Sequence, residues 1–481
     1  MTVEGFLVRL RACPLIASVQ ASDGSPLDHP DTLLRSARAS VKQGVRVLRI
    51  EGVKNVRVMR PELKGILIGL LKRRYPGSDV YITPTNQDAD AMMELGCEII
   101  AIDGTGRERP KRANLEAMIA HIKKRRKLVL ADIDTVETAL AAEAAGAQML
   151  STTLGGYTPD RIATSGPDLE LLRAVIQAVK IPVIAEGRFT ERWQIEAALR
   201  IGAVGVVVGG ALNDPVKQTR ALLPRAVDAD AKVGAVDIGG TWLRFAPFSQ
   251  SWEIGEVEQI AYPKTRDERL AWIRERVEAH GITQLGIGTG GIVNPATGEV
   301  WTAKEYLMPD HAGIVFNEES LGVKTFAIGD GHATAWGHAC LPQFAGLRVA
   351  TLAIGTGLGA GFVQHGRIWA GRRGEYPRIN DLPTRTGQTY EKLLGGINLG
   401  KEPTLEQQTQ AVEALEDAAL AVRNLYFPDA ILIAGSVGLS EWMAPHLARL
   451  EVVPSPFGTQ AGLFGAAATA LFPPETDPVL F

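Results

Sequence analysis

The stretch KLVLADIDTVETALAAEAAGAQMLSTT, residues 127–153, contains a strand, a helix and a second strand in succession. A short apolar run ends at Asp132. Apolar residues then recur at three- and four-residue spacing up to Gly146, and a second apolar run begins at Gln148. Apolar runs separated by amphipathic helices are the pattern of parallel βαβ units. The same unit repeats outward in both directions. Candidate strands are PLIASVQ (14–20), VRVLRIE (45–51), GILIGLLK (65–72), EIIAIDG (98–104), KLVLADI (127–133), QMLSTT (148–153), PVIAEG (182–187) and VGVVVGG (204–210). Between them, QDADAMMEL and ERWQIEAALRIG read as helices packed outside a sheet. Eight such strands predict a closed (β/α)8 TIM barrel over residues 1–228.

From Arg225 to Lys232 the chain becomes short and polar, RAVDADAK, and VGAVDIGGT then opens a second α/β domain, residues 232–481. Its rhythm differs. Strands meet strands across glycine turns in AVDIGGTWLRFAPF and LAIGTGLGAGFVQHG, before helices such as EQQTQAVEALEDAALAVRNLY. At 481 residues the chain suits two large domains.

The net charge of −3 gives no electrostatic footprint for nucleic acid or a membrane surface. The one basic cluster, KKRRK from Lys123 to Lys127, falls at a predicted helix end, where the dipole favours cations. Three scattered cysteines, Cys13, Cys97 and Cys340, fit a reducing compartment and exclude a disulfide framework. No apolar run reaches the ~18 residues of a membrane span. A cytoplasmic chain acting on small molecules is expected, without nucleic-acid or membrane partners and as a homo-oligomer.

In barrel enzymes the reacting groups stand at the C-terminal strand ends. Those ends carry Gln20, Arg49, Glu51, Lys72, Asp103, Asp132, Thr152, Thr153, Glu186 and Arg188, followed by Gly209 and Gly210. The strings GLLKRRYPGSDVYITPT, STTLGGYTPD, PVIAEGR and VVVGGA resemble the N-acylglucosamine-6-phosphate 2-epimerase family over roughly residues 5–224. That family's barrel interconverts N-acetylmannosamine 6-phosphate and N-acetylglucosamine 6-phosphate without a cofactor. Inverting C2 requires removal of a proton α to the C1 carbonyl and its return on the other face. The resemblance makes Lys72 the base, its proton affinity lowered from about 10.4 by Arg49, Arg73 and Arg188 or by burial. Glu186 and Asp132 become proton-transfer or orienting carboxylates, and Gln20, Arg49, Thr153 and Arg188 contact substrate. Backbone at Gly187, Gly209 and Gly210 is expected to hold the phosphate. Asn213, Asp214 and Pro215 replace the family's Thr-Arg-Pro, putting an acid where a cation is usual and predicting weaker phosphate binding unless Arg188 or Arg220 compensates.

In the second half, GTGLGAG (355–361) is followed by a strand-like segment, so it is a hairpin rather than a dinucleotide fingerprint. Together with DIGGTWLR and IAGSVGLS it resembles the ROK family of sugar kinases, on a two-lobed actin-like ATPase (ribonuclease H-like) fold, over residues 233 to about 472. The resemblance places ATP phosphates against Asp237, Gly239, Gly240, Thr241 and Arg244 and against Gly355, Thr356, Gly357 and Gly359. It places adenosine at Gly435, Ser436 and Gly438, and Mg²⁺ with ATP near Asp237. Asp330 becomes the base that accepts the sugar hydroxyl proton, and Glu375 and Glu391 bind sugar. Gly329 stands for a usual asparagine and Arg378 for a usual histidine. No cysteine follows Cys340, so the family's thiolate zinc loop has no ligands and no structural zinc is expected.

Together the halves imply a bifunctional amino-sugar enzyme of sialic acid catabolism, phosphorylating N-acetylmannosamine at O6 and epimerising the product. Two alternatives stand: a working epimerase carrying a ROK module that only senses sugar or nucleotide, or a kinase for a different hexose or hexosamine.

Overall fold

The computed structural model describes residues 1–22, 24–110, 113–164, 166–223, 230–371 and 374–474. The chain separates into two compact units, residues 1–224 and 225–481. Residues 228 and 229, at the expected join, lie outside the described residues.

The first unit is a closed parallel barrel of eight strands in sequential order: β1 (Leu15–Val19), β2 (Val47–Glu51), β3 (Ile66–Leu70), β4 (Ile99–Asp103), β5 (Leu128–Asp132), β6 (Met149–Ser151), β7 (Val183–Glu186) and β8 (Gly205–Val208). Strands β3 to β5 are buried at every position. Covering both faces is what turns their sequences into unbroken apolar runs. Alternate residues divide the core. Val47, Ile66, Ile68, Leu70, Leu128, Leu130 and Ile184 fill the barrel interior, while Leu48, Ile50, Leu67, Val129 and Leu150 pack under the surrounding helices. The expected helices form at Asn86–Glu94, Val136–Ala144 and Arg192–Ile201. Each is followed by a glycine of positive φ, at Gly96, Gly146 and Gly202, the left-handed conformation that ends a helix cheaply.

An additional helix, Val3–Ala12, sends Phe6 and Leu10 into the interior cluster. Leu10 packs so closely on β8 that a Cβ on Gly205 would lie 2.7 Å from it. The C-terminal mouth is left for chemistry. Three strands end two residues earlier than the sequence suggests, β6 among them at Ser151. β3 stops at Leu70, Lys72 continuing only as an isolated bridge to Ile82. β8 stops at Val208, and Gly210 opens a short helix, Gly210–Asn213. The basic cluster caps the helix Leu115–Lys124, with Arg125 paired to Asp90 at 3.2 Å.

The second unit contains two five-stranded sheets of the same design. The first takes β9 (Val233–Ile238), β10 (Trp242–Phe248), β11 (Glu258–Ala261), β12 (Gln284–Thr289) and β15 (Lys324–Gly329) in the order β11-β10-β9-β12-β15. A small hairpin, β13 (Ile292–Val293) with β14 (Val300–Thr302), intervenes. The second takes β16 (Val349–Ile354), β17 (Leu358–Gln364), β18 (Arg367–Ile368), β19 (Ala430–Ala434) and β20 (Val453–Pro454) in the order β18-β17-β16-β19-β20. In each, an antiparallel hairpin leads into parallel strands. This is the two-lobed plan anticipated from the sequence. The helices Asp330–Ala339 and Ala461–Leu471 cross between the sheets. Their approach depends on glycine: a Cβ on Gly337 would meet Gly465 Cα at 2.9 Å. Among the described residues, no helix is long and apolar enough to cross a membrane.

Candidate functional site

At the C-terminal mouth of the barrel, strand parity turns Arg49, Asp132, Thr153 and Glu186 toward one another. Arg49 is 2% exposed. Its Nη1 and Nη2 donate to Asp132 Oδ1 and Oδ2 at 3.1 and 2.6 Å, and its Nε lies 3.4 Å from Glu186 Oε2. Thr153 Oγ1 stands between the carboxylates, 2.8 Å from Asp132 Oδ1 and 2.9 Å from Glu186 Oε2. Thr152 fastens β6 to β7, its Oγ1 donating to Glu186 O and accepting from Glu186 N, both at 3.0 Å. Burial pushes Asp132 up to about 6 against the pull of Arg49. Burial also works against the Arg49 charge, but the two carboxylates outweigh it and hold the guanidinium more firmly protonated than usual. A buried bidentate pair of this kind is rigid and directional.

Lys72 follows Ile68 and Leu70 in alternation and emerges exposed at the same mouth. The cations expected to press on it are committed elsewhere. Arg49 is held as above, and Arg73 pairs with Asp88 at 2.9 Å. Arg188 donates to Gly166 O, Gly155 O and Thr164 Oγ1 at 2.9, 2.9 and 3.0 Å, so it braces the loop after β6 rather than joining the cluster. Glu51 lies beside Lys72, its Oε1 accepting the Lys72 backbone N–H at 3.3 Å. Burial lifts Glu51 above the usual carboxylate range and Lys72 draws it back. Gln20 donates to Ser18 Oγ at 3.2 Å, leaving its own buried carbonyl without a hydrogen-bond partner. Asp103 is turned to Thr105 and Arg107.

Tyr81 is a mouth residue that motif reading passes over. Burial raises its phenol, with Asp132 as the next cause. The signal was present in the antiparallel return KRRYPGSDVYIT, which folds residues 80–82 back against Lys72.

Asp214, the acid expected to weaken phosphate binding, is held by local donors. Its carboxylate caps the helix Pro215–Leu222 by accepting from Lys217 N at 3.2 Å, and receives Ser22 Oγ at 2.5 Å. Burial alone would raise Asp214, but these donors hold it below the usual range. Its negative charge is therefore engaged within the protein. Lys217 Nζ lies 3.9 Å from where a Cβ on Gly210 would stand, placing an ammonium beside the Gly209–Gly210 backbone.

In the second unit, the two glycine hairpins and the segment after β19 line one cleft of about 720 Å³. The hairpin tips meet through Thr241 Oγ1 and Thr356 Oγ1 at 3.0 Å. Asp237, Gly239, Gly240, Thr241, Arg244, Gly355, Thr356, Gly357, Gly359, Gly435, Ser436, Asp330 and Glu391 all line the cleft. Two expected residues are placed differently. Gly438 packs against Ile433 and Ala434, and the Glu375 carboxylate lies against Gly371.

Asp330 is the first residue of its helix, and its Oδ1 accepts the Gly331 N–H at 2.7 Å. Burial nevertheless raises it, as suits a proton acceptor. Asp237 rises to about 6, chiefly through burial and partly through repulsion from Asp330, while Arg244 at 3.8 Å opposes the rise. Two mutually repelling carboxylates in a cleft of backbone amides suit a divalent cation brought by a polyphosphate. Among the described residues, no group of three or more His, Cys, Asp or Glu side chains forms a cation cage. Phosphate oxygens would therefore supply most ligands, with Asp237 the protein's contribution; the bound ion would neutralise charge on the transferring phosphoryl group.

A stability consequence follows for the ligand-free protein. A carboxylate whose folded pKa exceeds its unfolded value contributes stability below the unfolded value, near 4, and loses it as pH rises through about 6. Asp237→Asn should therefore stabilise the ligand-free protein at pH 7 by roughly 1–3 kcal/mol. Thermal unfolding of variant and wild type at pH 7 and pH 5 should show the difference shrinking at the lower pH.

An eight-stranded barrel with a cation and two acids at its mouth, on one chain with a two-lobed unit whose cleft is walled by glycine hairpins, points to a class: a barrel isomerase joined to a phosphotransferase. Comparison with known proteins agrees. The model for putative N-acetylmannosamine-6-phosphate epimerase (NanE) matches residues 33–224, and that for the ROK family matches residues 233–380. The bifunctional enzyme NanE/NanK of Brucella melitensis is 31% identical, with 97% of this chain and 98% of that protein covered. A putative N-acetylmannosamine-6-phosphate 2-epimerase of Clostridium perfringens is 38% identical over 43% of this chain and 93% of its own length. The solved N-acetylmannosamine-6-phosphate 2-epimerase from Clostridium perfringens is 36% identical, covering 46% of this chain and 96% of that one, with a TM-score of 0.45. The chain belongs to the bifunctional NanE/NanK family and carries an epimerase and a ROK kinase.

Proposed function

We propose that the kinase half transfers the γ-phosphoryl group of ATP to O6 of N-acetylmannosamine, and that the barrel converts the resulting 6-phosphate to N-acetylglucosamine 6-phosphate. The observation that carries the barrel reading is the guanidinium of Arg49 locked between Asp132 and Glu186 with Thr153 against both carboxylates.

On this reading Lys72, desolvated once the sugar phosphate covers it, removes the C2 proton of the open-chain sugar, and the electron pair moves into the C1 carbonyl. Arg49 stabilises the enolate oxygen, a developing charge that a fixed, dry cation meets without reorganisation. The proton returns to C2 on the opposite face from the Asp132–Glu186 side, where a raised carboxyl can carry it. Gln20 receives a sugar hydroxyl through its unpartnered carbonyl, and the Gly209–Gly210 backbone with Lys217 takes the phosphate. In the cleft, Asp330 accepts the O6 proton as the phosphoryl group transfers, and the glycine hairpins hold the polyphosphate. Wash-in of solvent deuterium at C2 of N-acetylmannosamine 6-phosphate should fall at least ~10³-fold in Lys72→Ala. Undiminished exchange would remove Lys72 from its role. ADP release that depends on N-acetylmannosamine tests the kinase; its absence would favour a sensing module.

A further inference from the structure

The ROK resemblance leaves the sugar side of the cleft short of contacts. Gly329 and Arg378 stand where an asparagine and a histidine are usual, and Glu375 is turned to Gly371. The cleft lining nevertheless holds a polar cluster around Glu391, in which Lys304 and Asn380 are announced by no motif. Lys304 ion-pairs with Oε2 of Glu391. Asn380 Nδ2 donates to that same oxygen at 2.8 Å and to Asp381 Oδ1 at 3.3 Å. Both N–H groups of the amide are thus committed to carboxylates, which fixes its orientation and leaves Oδ1 as a pure acceptor. Asn380 is 2% exposed and lines the cleft, and its Oδ1 is buried without a hydrogen-bond partner. Leaving a buried acceptor unpaired is costly. A binding site can carry that cost when the ligand supplies the donor.

We propose that Asn380 and Lys304 read the acylamino group of a 2-acylamino sugar, its N–H donating to Asn380 Oδ1 and its carbonyl accepting from the Lys304 ammonium. This rests on the kinase reading above and adds to it the residues that select the substrate. An amide presents one donor and one acceptor. Asn380 and Lys304 hold the complementary pair around a shared Glu391 oxygen, and Lys304 retains N–H groups beyond the one given to Glu391. A sugar with a free 2-ammonium would face the Lys304 charge and be rejected, which makes the pair selective against amines as well.

The test uses the full chain and two sugars, N-acetylmannosamine and mannose, with Asn380→Ala and Asn380→Ser. The expected result is a KM for N-acetylmannosamine raised about tenfold, the loss of one buried hydrogen bond, with a KM for mannose raised at most about threefold through the loosened Glu391. An equal rise for both sugars, or no rise for either, overturns the amide assignment. Thermal shifts induced by the same two sugars report folding and binding without turnover: the variants should lose the N-acetylmannosamine shift selectively. A wild type shifted by N-acetylmannosamine but releasing no ADP sinks the kinase reading while leaving the subsite standing. A wild type shifted equally by both sugars sinks the subsite.

Discussion

Asp330→Asn is expected to lower sugar-dependent ADP release by about 10³-fold, within the range that a positioned base contributes, while C2 exchange in the barrel continues at the wild-type rate. The side chain keeps its shape, so the Gly331 N–H at 2.7 Å retains an oxygen to donate to. What is lost is the charge that accepts the O6 proton. Asp237 also loses a repelling neighbour, since Asp330 is one cause of its raised proton affinity. Nucleotide binding should therefore persist or tighten slightly. This pattern separates the two acids: Asp237→Asn should weaken Mg²⁺·ATP binding, and Asp330→Asn should spare it. ADP release with N-acetylmannosamine, ATP-induced thermal shift and deuterium exchange, run on each variant, resolve these roles. Undiminished turnover in Asp330→Asn would leave the cleft without its base.

The barrel was legible because parallel strands covered on both faces cannot conceal their periodicity, and eight apolar runs survive even where β6 shortens to Met149–Ser151. Counting by twos from Ile68 and Leu70 also points Lys72 into the mouth. The same counting fails at Arg188. It would point inward with Ile184 and Glu186 if β7 continued, but Gly187 at φ +118° and Arg188 at φ +57° break the alternation and swing the guanidinium onto the loop at residues 155–166. Likewise, Asp214 looks like a misplaced acid in the linear sequence. Only the fold shows that the proline after it begins a helix which needs a cap.

In the second unit, the glycine hairpins that line the cleft were readable because a tight turn with close backbone approach demands glycine and little else. Sugar contacts have no such steric signature. Lys304, Asn380 and Glu391 come from three separate segments, and nothing in their local sequence requires them to meet. Motif matching selected Glu391, which lines the cleft, and Glu375, whose carboxylate lies beside Gly371, but neither Lys304 nor Asn380. Residue identity was thus readable wherever backbone geometry restricts it. It was not readable where long side chains choose among partners.

Arg49→Met should combine a large loss of epimerase activity with a large loss of barrel stability. Methionine fills much of the arginine's volume, so packing changes little and the effect is electrostatic. In its absence Asp132, 0% exposed, and Glu186 confront each other across Thr153 without a cation. Removing one member of a buried ion pair costs about 3–5 kcal/mol because the other charge is left uncompensated. The remaining carboxylates would take up a proton, raising Asp132 beyond its present value of about 6. A carboxylate raised further in the folded state favours folding at low pH and opposes it once deprotonated, so the destabilisation should be greatest above about pH 7 and relieved towards pH 5. Arg49→Lys should fall between variant and wild type, since one ammonium cannot reproduce the bidentate grip on Asp132 while touching Glu186. Deuterium exchange at C2 should drop by about 10³-fold in Arg49→Met, from lost enolate stabilisation, and sugar-dependent ADP release provides the control in the same sample. A variant as stable at pH 8 as at pH 5 would show that Asp132 is not held ionised by Arg49, and that the guanidinium does not serve the fold in the way its geometry indicates.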